Sequence, residues 1–167
     1  MQNLLRYLKF LFTATNQHGV HSPFIYAYVT KCLYAQPGYG GAKSEDILLK
    51  SIAYFKPKRV WLPPDKNKLR KTIQHEFPSV LLCGGPYDII YADPLRAEKL
   101  LGNPSEENKI HNDCMMLIFG IRSNADHRAT WKRIKTDHQI RITVDLFHCA
   151  AAFFRREQAE EHFQIRI

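Results

Sequence analysis

The chain has 167 residues, 45% of them hydrophobic and 12% aromatic, which suits one compact domain with a full core and a helical extension. Its four cysteines, Cys32, Cys83, Cys114 and Cys149, stand far apart with no C-x-x-C pair; that spacing argues against a zinc site and a disulfide framework, and predicts reduced, mostly buried thiols in a cytoplasmic protein. The net charge of +8 and a pI near 9.4 point either to an anionic partner such as RNA, DNA or acidic lipid, or to a solvated basic surface, and charge alone does not choose between them.

Leu4, Leu5, Leu8, Leu11 and Phe12 recur at helical spacing, with Arg6 and Lys9 on the other side. The stretch is too short and too charged to span a bilayer, and no small-residue cleavage site follows it. It reads as a helix docked on its own domain or on a twin subunit, which makes a homodimer through the N-terminal helices a candidate assembly; membrane-surface binding is the alternative. His18 and His21 are three apart with no third ligand near in sequence, and read as pinning the loop between the first two helices. Ser22 is placed to cap a helix whose first residue is Pro23, running to about Tyr34 and burying Ile25, Tyr28, Val29, Cys32 and Leu33. Gln36 to Gly41 is a break, so the expected division is a helical extension over 1–43 and an α/β domain over 44–167. Ser44, followed by Glu45 and Asp46, opens a third helix that ends near Tyr54, before Pro57.

From Arg59 onward strand and helix patterns alternate, which predicts a mainly parallel sheet with helices on both faces. Strands are expected at about 59–62, 79–83, 87–92 and 114–120, with helices at 65–76, 95–101 and 125–137 and a polar loop over 103–108. The runs Ile140–Phe147 and Ala150–Phe154 are separated only by His148 and Cys149, a spacing that demands an antiparallel hairpin.

The segments His18–Phe24, Tyr87–Asp93 and Phe153–Ala159, with the closing run Gln139–Ile167, resemble blocks of a family of bacterial class I S-adenosylmethionine-dependent methyltransferases, of the O-methyltransferase-like type. The likeness covers most of the chain, is specific at its two ends, and leaves the middle shorter by about one strand-helix unit. It implies a truncated Rossmann-like methyltransferase fold whose parallel sheet ends in an antiparallel hairpin.

The resemblance also implies a cofactor pocket, and the residues depart from it. A glycine-rich turn should follow the first strand so that the backbone can approach the cofactor, but Arg59–Leu62 runs into Pro63 and Pro64, which fix φ and remove two N–H donors. Asp65 then reads as a helix N-cap. The next strand should end in an acidic residue for the ribose hydroxyls and ends in Cys83-Gly84-Gly85, while the strand that would carry the adenine neighbour is missing. Each lost bond to a charged acceptor costs about 1.5–3 kcal/mol, so losing several moves affinity by orders of magnitude. Asp93 stands where the resemblance places an acidic residue, as a metal ligand or base; its structural reading is the cap of the helix after Pro94. Gly120-Ile121-Arg122 offers no further oxygen ligand, so no metal site is expected.

Three readings follow. The leading one is a degenerate methyltransferase-like protein without cofactor or catalysis. The second is an active, divergent methyltransferase that holds S-adenosylmethionine through Gly84, Gly85 and Asp93. The third is a basic module presenting Lys56, Lys58, Arg59, Lys66, Lys68, Arg70 and Lys71 to nucleic acid, with Leu69, Ile73 and Phe77 of the same segment facing inward.

Overall fold

A computed structural model describes residues 2–16, 19–34, 38–103, 105 and 109–167, the side chains of Gln2 and Asn3 excepted. Six strands form one mixed sheet, mostly parallel: β1 (Val60–Trp61), β2 (Tyr87–Ala92), β3 (Ile110–Phe119), β4 (Ile142–Asp145), β5 (Cys149–Phe153) and β6 (Glu161–Gln164), in the spatial order β1-β2-β3-β5-β4-β6. β1, β2 and β3 are parallel neighbours, β5 is antiparallel to both β3 and β4, and β6 runs parallel to β4 at the edge. The helices are α1 (Gln2–Thr13), α2 (Pro23–Tyr28), α3 (Lys43–Phe55), α4 (Asn67–Glu76), α5 (Pro94–Leu101) and α6 (Ala125–Lys135). A π-helical turn, Val29–Leu33, continues α2 and ends in a Tyr34 N–H to Val29 carbonyl bond of 3.0 Å.

Side-chain alternation along the central strands builds two cores. Ile89 and Tyr91 of β2 and Met115 and Leu117 of β3 face α2, α3 and α4, where they pack with Tyr28, Leu48, Ile52 and Ile73. Ile90, Ala92, Met116 and Ile118 face the other way, onto Ala97 and Leu101 of α5 and Trp131 and Ile134 of α6. A strand covered on both sides reads as a continuous apolar run, which is why β2 lies where the sequence predicts it. Residues 20–33 share the first core with α3 and the sheet. Ser22 caps α2 as expected, its hydroxyl accepting from the Ile25 N–H, and the expected buried face of that helix is buried.

Several expectations need correction. The strand expected at 79–83 shrinks to a single parallel bridge between Arg59 and Leu81, because the chain reverses through Gly84, at φ 61°, straight into β2. Asp65 does not cap α4: the Lys66 N–H bonds to the Pro63 carbonyl at 3.1 Å, and this turn delays the helix to Asn67. Ser44 does not open α3, which starts one residue earlier; its hydroxyl lies 2.9 Å from that of Tyr91 instead. β3 begins four residues before the expected 114, its polar start at His111-Asn112-Asp113 absorbed by a register shift against β2. The antiparallel hairpin is present, but Cys149 already belongs to β5. The reversal is made by Phe147 at φ 69°, a left-handed conformation uncommon for an aromatic residue, with His148 N–H returning to the Leu146 carbonyl at 2.9 Å. Strand β6 was not expected at all.

The apolar stripe expected on α1 is not the face that docks on its own domain. Phe10 and Ala14 are buried, with Tyr7 half-buried beside Phe147, whereas Leu4, Leu5, Leu8 and Phe12 are exposed, Phe12 at 90%. Beyond α1, Thr15 pairs with Ile165 and extends the sheet past β6. His18, residues 35–37 of the expected break and residues 104 and 106–108 of the polar loop lie outside the described residues; His21 is exposed. All four cysteines are free, and only Cys83 is exposed. Burial pushes the Cys32 thiol up to about 12 and those of Cys114 and Cys149 higher still.

Candidate functional site

Open α/β sheets collect ligands at the carboxyl ends of their parallel strands. Here that edge is built from the Pro63-Pro64-Asp65 turn after β1, Asp93 after β2, and Phe119 at the end of β3. Asp93 caps α5: its Oδ1 accepts from the Arg96 N–H at 3.1 Å, and Pro94 occupies the first helical position. One turn into that helix, Arg96 donates to Asp93 Oδ2 at 3.0 Å and, with its other terminal nitrogen, to Asp65 Oδ1 at 3.0 Å. A single guanidinium therefore ties the turn after β1 to the end of β2.

On one side of this clasp a hollow of about 300 Å³ lies between Trp61, Pro64, Arg96 and Leu100; on the other, aromatic rings fill the edge. The rings of Tyr91 and Phe119 stack with centroids 4.6 Å apart, and Lys66 Nζ lies 4.7 Å from the Phe119 centroid while pairing with Glu45 at 3.4 Å. Burial pushes the Tyr91 phenol up, so it stays protonated and bonded to Ser44. The chemistry available to Asp93 is that of a saturated cap, with both oxygens engaged.

Gly84 and Gly85 stand at the other end of β2. The six residues of that strand cover about 17 Å, so the structure does not bring the glycine pair and Asp93 to one ligand. A Cβ on Gly85 would sit 2.7 Å from Lys109 Cγ, so this glycine is required by close packing, and Gly84 by its positive φ. The basic stretch is also divided. α4 runs back along β1, so Lys58 and Lys66 lie at opposite ends of a helix about 15 Å long. Lys56, Lys58, Lys68 and Lys71 are exposed, whereas Lys66 is paired and Arg70 bonds to the Leu82 carbonyl at 3.4 Å. Leu69 and Ile73 are buried and Phe77 half-buried, as expected.

Two charged groups that sequence reasoning passed over hold the β4–β5 hairpin. Arg122, after β3, makes two bonds to the buried carboxylate of Asp145, at 2.6 and 2.9 Å, and a third to the Phe147 carbonyl at 2.9 Å. The guanidinium also lies 4.9 Å from the Phe147 ring centroid. The one signal for it in the sequence is an acid, Asp145, closing the apolar run of β4.

Among the described residues no group of three or more His, Cys, Asp or Glu side chains is placed to hold a metal ion, and no helix is long and apolar enough to cross a membrane. Compared with protein-family models, curated proteins and solved structures, the chain matches none.

Proposed function

We propose that this chain is a methyltransferase-like protein on a shortened Rossmann-type scaffold that neither binds S-adenosylmethionine nor transfers methyl groups, and that it works by association, as a homodimer through its N-terminal helices. The observation that carries the reading is the Asp65–Arg96–Asp93 clasp across the carboxyl edge of the sheet. The residues at that edge do not fit the cofactor: prolines replace the open glycine turn, Lys66 covers Phe119, and the acidic group that would receive a ligand is spent on a helix cap. The exposed Leu4, Leu5, Leu8 and Phe12 support the dimer, and four free thiols support a cytoplasmic location.

An active methyltransferase would need Gly84, Gly85 and Asp93 around one ligand, across the length of β2. Nucleic-acid binding by residues 56–71 would need a continuous patch from groups that α4 separates. Both are weaker readings. The test is to denature the purified protein and search the extract for S-adenosylmethionine and S-adenosylhomocysteine by mass spectrometry. Neither is expected above trace, and recovery in proportion to the protein would overturn the reading.

A further inference from the structure

We propose that a hollow at the opposite, amino edge of the sheet binds an organic phosphate, with Arg141 and Arg156 clasping the phosphate group. The hollow lies between the start of β3, the lead-in to β4 and the chain leaving β5, and has a volume of about 620 Å³. Small-molecule sites typically measure roughly 300–1,000 Å³, so a phosphate alone would leave most of it empty.

Among the described residues its lining is cationic, amide and apolar, with no carboxylate. Among the described residues neither Arg141 nor Arg156 has an ion-pair partner, whereas Arg96, Arg122, Arg133 and Arg155 are all paired. A neighbouring hollow of about 360 Å³ makes the contrast plain. It carries Lys56, Lys58 and Arg155, but Asp88 and Asp113 line it too, and Arg155 pairs with Asp113 at 3.4 Å.

Both guanidiniums spring from fixed backbone. The Arg141 N–H donates to the Phe153 carbonyl and its own carbonyl accepts from Glu161, each at 2.9 Å. The Arg156 N–H donates to the Asn112 side-chain carbonyl at 2.9 Å, and the Asn112 amide is held by Glu157 at 2.9 Å. His111, between the two hollows, is committed as a wall, its Nε2 lying 3.1 Å from Asp88 Oδ1 and its Nδ1 accepting from the Asp113 N–H. Guanidinium forks match phosphate oxygens bidentately, and Phe154 and Ile110 supply the apolar floor on which the organic part would rest. Because this edge is a strand's length from Asp93, the proposal stands whether or not a cofactor binds there.

The experiment titrates the full ¹⁵N-labelled chain with AMP, with inorganic phosphate, and with a short RNA carrying or lacking a 5′-phosphate, up to about 10 mM ligand, which captures even millimolar affinity. Saturable shifts from AMP centred on residues 110–112, 138–141 and 154–156 are expected, with phosphate weaker and Arg156→Ala weakening AMP by about tenfold or more. RNA that binds more tightly than AMP only when phosphorylated would support the same site and make a chain end the source of its phosphate. Shift mapping on the unaltered chain keeps the test independent of variant folding, and Arg141→Lys provides a conservative second variant that should bind AMP more weakly than the parent. No saturable shift, shifts centred elsewhere, or AMP binding untouched by both substitutions would overturn the proposal.

Discussion

Arg96 reaches Asp65 across the carboxyl edge of the sheet at 3.0 Å, while the same guanidinium holds Asp93, the cap of its own helix, at 3.0 Å. The pair joins two segments, the turn after β1 and the first turn of α5.

If Asp93 is a cap and not a catalytic group, its value should be readable as stability. Asp93→Ala should cost about 1 kcal/mol in urea denaturation, and Asp93→Asn, which can still accept from the Arg96 N–H, should recover much of that. Equal losses in the two variants would remove the capping role.

The Arg122–Asp145 pair should matter more, because Asp145 is buried and each partner satisfies several bonds. Arg122→Ala strands the buried Asp145 carboxylate under the hairpin and should cost about 3–5 kcal/mol, whereas a double variant, Arg122→Met with Asp145→Leu, should lose much less. A double-mutant cycle read by chemical denaturation decides; additive losses would mean that the two side chains act separately.

Acid should weaken the fold in two stages. His148 and His162 both have lowered pKa values, first through partial burial, then through Lys43 and Arg122 for His148 and through Lys135 for His162. The unfolded chain therefore takes up these protons before the folded one, so stability is whole above the ordinary histidine value of 6.5 and falls as pH drops below it. Glu157, held down to about 2 by Asn112, its own backbone N–H and Arg155, adds a further loss as pH falls through 4.5. Midpoint temperatures at pH 7.5, 5.5 and 4 should fall in that order, and His162→Gln should flatten the first step; a flat profile between pH 7.5 and 5.5 would contradict the histidine assignment.

The proposed homodimer would form through the exposed side of α1. Phe12 and Leu5 stand free of their own domain, so Phe12→Glu with Leu5→Glu should leave the fold intact and convert a dimer to a monomer in light scattering. A parent protein that is already monomeric at high concentration would end the dimer reading.

How much of this was legible in the sequence depends on how local the signal was. β2, the Asp93-Pro94 cap and the hairpin were readable because each is announced by adjacent residues: an apolar run covered on both faces, a capping pair, a spacing too short for a crossover. The strand expected at 79–83 failed because its apolar residues lacked a neighbour on their outer side, which no local pattern reveals. The same holds for α1, where the face that docks on its own domain is carried by Tyr7 and Phe10, drawn to Phe147 far along the chain, and not by the leucine stripe. The Asp65–Arg96 clasp and the Arg141–Arg156 hollow join residues from separate elements, so their chemistry became visible only when the sheet brought those elements together.

The central claim, that the carboxyl edge of the sheet is closed to its expected cofactor, is tested most directly by calorimetric titration of the purified protein with S-adenosylmethionine and S-adenosylhomocysteine up to millimolar concentration. No saturable heat is expected from either. Saturable binding at micromolar affinity, lost in Asp93→Ala, would contradict it and make this chain a working methyltransferase of unfamiliar design.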